Sequence, residues 1–266
     1  MGQTIACANQ KGGVGKTTTV VNLGSYLAIF GERVLIVDLD PQGNATSGLG
    51  FDRNSIERSV YDAIVDGATL RELIVPGPVE GLDVVPSTIA LAGAEVELAP
   101  VEGRERRLSR LLAEIDSEYD YILIDCPPTL GILTVNALNA VTEVLVPVEC
   151  HVMGLHGLAQ LWKTVELVKK RLNPELAVTG ILACRVDRRT KHGKEVVEKV
   201  RLRFPDLVFE TEVRENVKLA ECPSQGGPIT AYDSKSYGAA DYRKLAEEVI
   251  AQESPEGIVY GQVANS

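Results

Sequence analysis

The sequence contains no run near the roughly 20 consecutive apolar residues that a bilayer-spanning helix requires. Its start, MGQTIACANQKGG, lacks a charged segment leading into a long apolar stretch and a cleavage site, so a cytosolic protein is expected. Basic residues are also in deficit. Across 266 residues there are 27 Lys+Arg against 37 Asp+Glu, a formal charge of −10, which excludes a polybasic protein that wraps nucleic acid with its whole surface. The five cysteines (Cys7, Cys126, Cys150, Cys184, Cys222) are odd in number and include no CxxC pair. Neither a disulfide framework nor a zinc site fits that spacing, and reduced, mostly buried thiols are expected. No Ser/Gly linker, low-complexity block or internal repeat divides the chain.

What is present is the composition of an ordinary folded protein, 45% hydrophobic and 24% charged. Short β-branched runs recur at 4–8, 33–40, 82–87, 119–127, 143–149, 177–186 and 207–211, several without alternation, as strands buried on both faces read. Helix-like stretches separate them at 17–31, 103–116 and 158–173, with a last one at 242–252. Alternating strands and helices predict an α/β fold, a twisted and mostly parallel sheet with helices on both faces. Residues 51–100 interrupt the pattern and read as short helices and turns on the same sheet. One domain over residues 1–252 is expected, followed by a frayed tail at 253–266.

The strongest local signal is KGGVGKTTT, Lys11 to Thr19, between the first strand and the first helix. A standard phosphate loop opens on Gly where this one has Gln10. Gly12, Gly13 and Gly15 then permit a tight backbone path, with Val14 between them. Successive N–H groups from Lys11 to Thr18, together with the helix N-terminus, form an anion site suited to β- and γ-phosphates. Lys16 would neutralise phosphate charge and the Thr17 hydroxyl would ligate Mg²⁺. The strand ending VDLDPQGN delivers Asp38 and Asp40 to the carboxyl edge of the sheet, where ligands of open parallel sheets bind. YILIDCPP ends likewise in Asp125, placed as a Walker-B acid that meets Mg²⁺ directly or through water. A Gly-rich turn without a ligand, with aspartates that merely cap turns, is the structural alternative.

The strings QKGGVGKTT, VDLDPQGNATSGLG, LAGAEVEL, YDYILIDCPPTLGILTVNAL and NVKLAECPSQGGPI make the chain similar, over almost its entire length, to the deviant Walker-A ATPases of the ParA/Soj/MinD group. The resemblance implies a P-loop NTPase fold of three α/β/α layers, ATP and Mg²⁺ as cofactors, and a homodimer formed face to face with ATP. Lys11 matches the signature lysine that reaches the partner subunit's nucleotide. Gly12 lies where the two subunits approach, Asp40 matches the position that orients the attacking water, and Asp38 is a further Mg²⁺ candidate. For the adenine the corresponding stretches offer Arg185, Arg214, Asn216 and Val217, although Arg214 stands where proline is common and Glu215 where arginine is common. His151 and His156 occupy positions where carboxylates are usual. Both read as ordinary surface or switch-region residues, since no third ligand lies at metal spacing.

Charge is unevenly spread. Residues 163–218 hold 14 Lys+Arg against 9 Asp+Glu, a local balance of +5 that leaves −15 elsewhere. Within this stretch the resemblance assigns Arg189 and Lys218 to non-specific DNA binding by the dimer, whereas Lys199, Arg201 and Arg203 serve equally well as solubilising charges. It further implies a ParB-like partner that stimulates hydrolysis, nucleoid association in the ATP state, and a role in chromosome or plasmid segregation or in cargo positioning. Direct membrane recruitment, as in the MinD relatives, is not expected, because the end of the chain is acidic and lacks a basic amphipathic helix. The rival function is a metallochaperone or nitrogenase-reductase-like ATPase of the same fold. It would need an interfacial cysteine, for which Cys126 is the candidate.

Overall fold

The computed structural model describes residues 2–149 and 154–252, without the side chains of 154–157 and 191–194. The expected frayed tail, Cys150 and His151 lie outside the described residues, as does the side chain of His156. Eight strands form one sheet: β1 (Gln3–Cys7), β2 (Val34–Asp38), β3 (Val75–Pro76), β4 (Leu82–Val85), β5 (Tyr121–Asp125), β6 (Glu143–Glu149), β7 (Ala177–Val186) and β8 (Val208–Arg214). Their order is β3-β4-β2-β5-β1-β6-β7-β8. Every neighbouring pair is parallel except β3 with β4.

The helices are α1 (Lys16–Ile29), α2 (Asn44–Gly48), α3 (Val60–Ile64), α4 (Ala94–Glu97), α5 (Arg107–Leu112), α6 (Ile132–Ala140), α7 (Gly154–Arg171), α8 (Lys191–Arg203), α9 (Val217–Glu221), α10 (Ile229–Tyr232) and α11 (Tyr237–Gln252). Strand side chains alternate between two cores, as period-2 geometry requires. On β2, Leu35 and Val37 pack with residues of α3, α5, α6 and α7, while Val34 and Ile36 pack with those of α1 and α11. All five residues of β2 and all five of β5 are buried, which is why their sequences do not alternate. The result is the expected three-layer α/β/α arrangement.

This topology collects the chemistry at one edge. β1 sits between β5 and β6, so the loop from β1 to α1 emerges beside the ends of both. Asp38 of β2 is the register partner of Asp125 of β5, and Asp125 is the partner of Cys7 of β1. Three parallel strands therefore end level, with two carboxylates next to the glycine loop.

Residues 51–100 do consist of short helices and turns, with β3 and β4 added to the edge of the sheet. Helix α6 was not marked by the sequence pattern. Its residues Leu133, Thr134, Asn136, Ala137 and Leu138 are all buried, so no polar face reveals the helical period.

Candidate functional site

The loop from Asn9 to Gly15 begins at the end of β1 and closes on α1. Gly13 (φ 75°) and Gly15 (φ 100°) adopt left-handed backbone that L side chains resist, and Gly15 caps α1 without a side-chain bond. Gly12 corrects one expectation. It is not among the positive-φ glycines, and a Cβ built on it meets nothing within 4 Å. Gly13 and Gly15 make the tight turn, so the protomer's own backbone does not call for glycine at position 12. Val14 is fully buried and anchors the loop between them.

Asn9 fixes the loop from the side. Its amide Nδ2 donates to the Pro147 carbonyl at 2.7 Å and its Oδ1 accepts from the Lys11 N–H at 3.0 Å. Lys16, only 7% exposed, donates from Nζ to the Lys11 carbonyl at 3.3 Å. Lys11 turns to the opposite side, where its Nζ lies 2.5 Å from Glu149 Oε2 at the end of β6. Neither Asn9 nor Glu149 stood out in the sequence, because each partner is 138 residues away along the chain.

The Thr17 hydroxyl donates to Asp125 Oδ2 at 2.7 Å. Asp125 is fully buried, and its other oxygen, Oδ1, has no hydrogen-bond partner among the described residues. Burial, reinforced by the neighbouring Asp38 charge, holds its carboxyl well above the usual carboxylate range. Asp38 is pushed up to about 6, chiefly by burial. Two buried carboxyls at adjacent strand ends, one with an unpaired oxygen beside a threonine hydroxyl, form a donor set suited to a hard divalent cation.

Asp38 is more engaged than a free ligand. Its Oδ1 accepts from the Asp40 N–H at 3.2 Å, and its Oδ2 accepts from both the N–H (2.8 Å) and the hydroxyl (2.7 Å) of Thr46. Asp38 thus ties the Asp40 loop to the start of α2. Asp40, 6% exposed, accepts at Oδ1 from the Gln42 N–H at 2.9 Å, so its carboxylate folds back on its own loop.

A cavity of about 1310 Å³ opens on the glycine loop. Gly12, Gly13, Gly15, Lys16, Thr17, Thr18 and Asp40 line it together with Arg185, Arg189, Arg214, Asn216 and Val217. The Arg214 guanidinium is held by Asp241, with Nη2 to Oδ1 at 2.6 Å, and lies 4.5 Å over the Tyr237 ring. Asn216 Oδ1 caps α9 by accepting from the Lys218 N–H at 2.8 Å. All four adenine candidates, Arg185, Arg214, Asn216 and Val217, therefore line the cavity, and Arg214 and Asn216 each already hold a structural bond.

The two DNA candidates are paired with acids. Arg189, 87% exposed, grips Asp187 with Nε and Nη2 at 2.9 and 3.1 Å, and Lys218 Nζ lies 3.0 Å from Glu221. Arg201 binds Glu210 and the carbonyls of Phe209 and Glu210, a tie to β8 that gives it a structural role. Cys7, Cys126, Cys184 and Cys222 are reduced thiols and buried, as expected. Cys126 is 1% exposed and its thiol is pushed up by burial, so the residue needed by the metal-transfer alternative has no surface on which to bridge two subunits. No helix of the described residues is long and apolar enough to cross a membrane.

The AAA domain family model matches residues 2–178. Over 251 residues the chain is 54% identical to the sporulation initiation inhibitor protein Soj of Bacillus subtilis, covering 94% of this chain and 99% of Soj. It is 48% identical to the chromosome partitioning protein ParA of Myxococcus xanthus, covering 96% of this chain and 90% of that one. Among solved structures it resembles a Mycobacterium smegmatis protein named cobyrinic acid a,c-diamide synthase, with bound ADP and magnesium. That match has TM-score 0.85 and 36% identity, covering 96% of this chain and 97% of the other. Its name shows that one fold carries different functional labels, so function is argued from the site and the close relatives. A glycine loop on β1, level carboxylates on β2 and β5, and near full-length identity to Soj and ParA agree: the chain belongs to the ParA/Soj family of chromosome-partitioning ATPases.

Proposed function

We propose that the chain binds Mg-ATP at residues 11–18, dimerises face to face around two nucleotides, binds DNA non-specifically as a dimer, and leaves it when a ParB-like partner stimulates hydrolysis. The observation that carries this reading is the Thr17–Asp125 pair with its unpaired buried Oδ1, set at the mouth of the glycine loop. Thr17 and Asp125, with Asp38 beside them, would hold Mg²⁺. When bound, the ion supplies positive charge against the phosphates and relieves the buried carboxylates.

The loop N–H groups and Lys16 hold phosphate oxygens. Asp40 orients the attacking water, for which its carboxylate must turn away from the Gln42 N–H. Lys11 supplies charge to the partner's phosphates, as an arginine finger does in trans. The open space over Gly12 supports close approach of a second subunit at that point. Arg214 and Asn216 flank the base, and Arg189 and Lys218 supply phosphate contacts that add across the dimer. The process served is segregation of a chromosome or plasmid, or positioning of another cargo.

Asp40→Ala tests the catalytic part. It should bind ATP like the wild type yet lose Mg²⁺-dependent turnover by about 10²-fold or more, the contribution typical of a positioned acid or base. Turnover equal to wild type, or insensitive to EDTA, would contradict the assignment.

A further inference from the structure

Among the described residues Arg185 is the one non-glycine with a left-handed backbone, φ 54°. A long side chain there is strained, and such strain persists only where surrounding contacts hold it. The contacts are ionic. Arg185 Nη1 lies 3.3 Å from Glu149 Oε1, and Nη2 lies 3.7 Å from Glu215 Oε1. The other oxygen of Glu149 carries Lys11. One carboxylate, only 12% exposed, is therefore shared by two cations, of which Arg185 lines the nucleotide cavity.

This sharing bears on the reading of a sandwich dimer, on which the inference rests. To reach the partner's phosphates, Lys11 must leave Glu149. A largely buried carboxylate stripped of its counter-charge is costly, and that cost would hold Lys11 in place. Arg185 alters the balance in two ways: it stays on Glu149 after Lys11 departs, and while both are bound its positive charge repels that of Lys11.

We propose that Arg185 is a positioning residue that loosens the protein's own Glu149 grip on Lys11 and so makes ATP-dependent dimerisation easier. Arg185 acts through Glu149 and touches no reacting atom. Its left-handed backbone is the conformation that keeps the guanidinium over Glu149 and Glu215.

The test compares dimer dissociation constants, by sedimentation with Mg²⁺ and a non-hydrolysable ATP analogue, for wild type, Arg185→Asn, Arg185→Lys, Glu149→Gln and Arg185→Asn/Glu149→Gln. Asparagine tolerates the left-handed backbone, so R185N removes the charge without adding strain. R185N should weaken the dimer roughly fivefold, in keeping with a partly exposed ion pair, and R185K should stay near wild type. In the Glu149→Gln background the R185N effect should vanish, because no carboxylate remains to retain Lys11. ADP affinity of the monomer, measured across the set, separates an effect on dimerisation from a direct contact with nucleotide.

An R185N dimer as tight as wild type would overturn the proposal. So would an R185N effect that persists in full without Glu149, or an ADP affinity that falls in step with dimerisation, which would make Arg185 a nucleotide ligand. Failure of the wild type itself to dimerise would instead overturn the sandwich reading, and this inference with it.

Discussion

At the scale of single residues, the site is governed by where two carboxyls are buried. Asp38 and Asp125 end neighbouring strands, and both are raised above the ordinary aspartate range, Asp38 to about 6. A folded-state value above the unfolded one means that the native protein holds more protons than the unfolded chain over that interval. The stability contributed by Asp38 protonation is complete below about 4 and is lost as pH rises through about 6. On the proposed reading, a divalent cation would take over the neutralising role above that pH. Thermal melts should therefore show Mg²⁺ with nucleotide raising Tm more at pH 7.5 than at pH 5.5. Asp38→Asn should flatten the metal-free profile across the same interval. Equal Mg²⁺ shifts at both pH values would contradict the assignment of these carboxyls.

Much of this was legible in the sequence. Lys16, Thr17, Asp38, Asp40 and Asp125 lie at local junctions of strand and loop, where a short motif defines the position. Asn9, Glu149 and Asp241 were not legible, since each matters through a partner brought near only by folding: Pro147, Lys11 and Arg214.

At the scale of elements, α1 carries the loop and must seat closely on the sheet. Gly24 allows this, since a Cβ there would lie 2.8 Å from Ile36 Cδ1. The far side of α1 is tied to α11 by Thr19 Oγ1 and Tyr242 OH at 3.2 Å, both buried. Tyr242→Phe should cost about 1 kcal/mol, the usual net value of one hydrogen bond, with the fold retained in denaturant melts. Gly180 on β7 is packed against the Phe209 ring of β8, where a Cβ would fall 2.1 Å from Cε2. Gly180→Ala should destabilise by about 1–3 kcal/mol through overpacking and disturb the strand that leads to Arg185 and Arg189. A variant as stable as wild type would show that β7 and β8 separate more easily than their packing implies.

The long buried strands and the helices α1, α5, α7 and α11 match the stretches read from the sequence. The sequence pattern missed β3, a two-residue edge strand containing a proline, and α6, whose buried residues include Thr134 and Asn136. In both cases the element exists because of its neighbours rather than its own periodicity. Pro76 is tolerated because β3 lies at the edge of the sheet.

At the scale of the whole molecule, the net charge of −10 conceals a local excess of +5 over residues 163–218. The structure adds that Arg188, Arg189, Arg201 and Lys218 are each engaged by a carboxylate. On the proposed reading, DNA phosphates would compete with the protein's own acids, which would favour binding only when two patches act together. Arg189→Glu with Lys218→Glu should abolish ATP-dependent binding of non-specific duplex at low salt. Wild-type affinity should fall steeply as salt rises, because phosphate contacts release counterions. Undiminished DNA binding by the double variant would place the interface elsewhere.

The central claim is that ATP brings two protomers together at the face bearing Lys11 and Gly12. Its most direct test is sedimentation of wild type and Gly12→Val with Mg²⁺ and a non-hydrolysable ATP analogue. A Cβ at position 12 meets nothing within 4 Å in the protomer, so the variant should fold and bind nucleotide normally. The wild type should shift from monomer to dimer and Gly12→Val should remain monomeric; two monomers, or two dimers, would contradict the account.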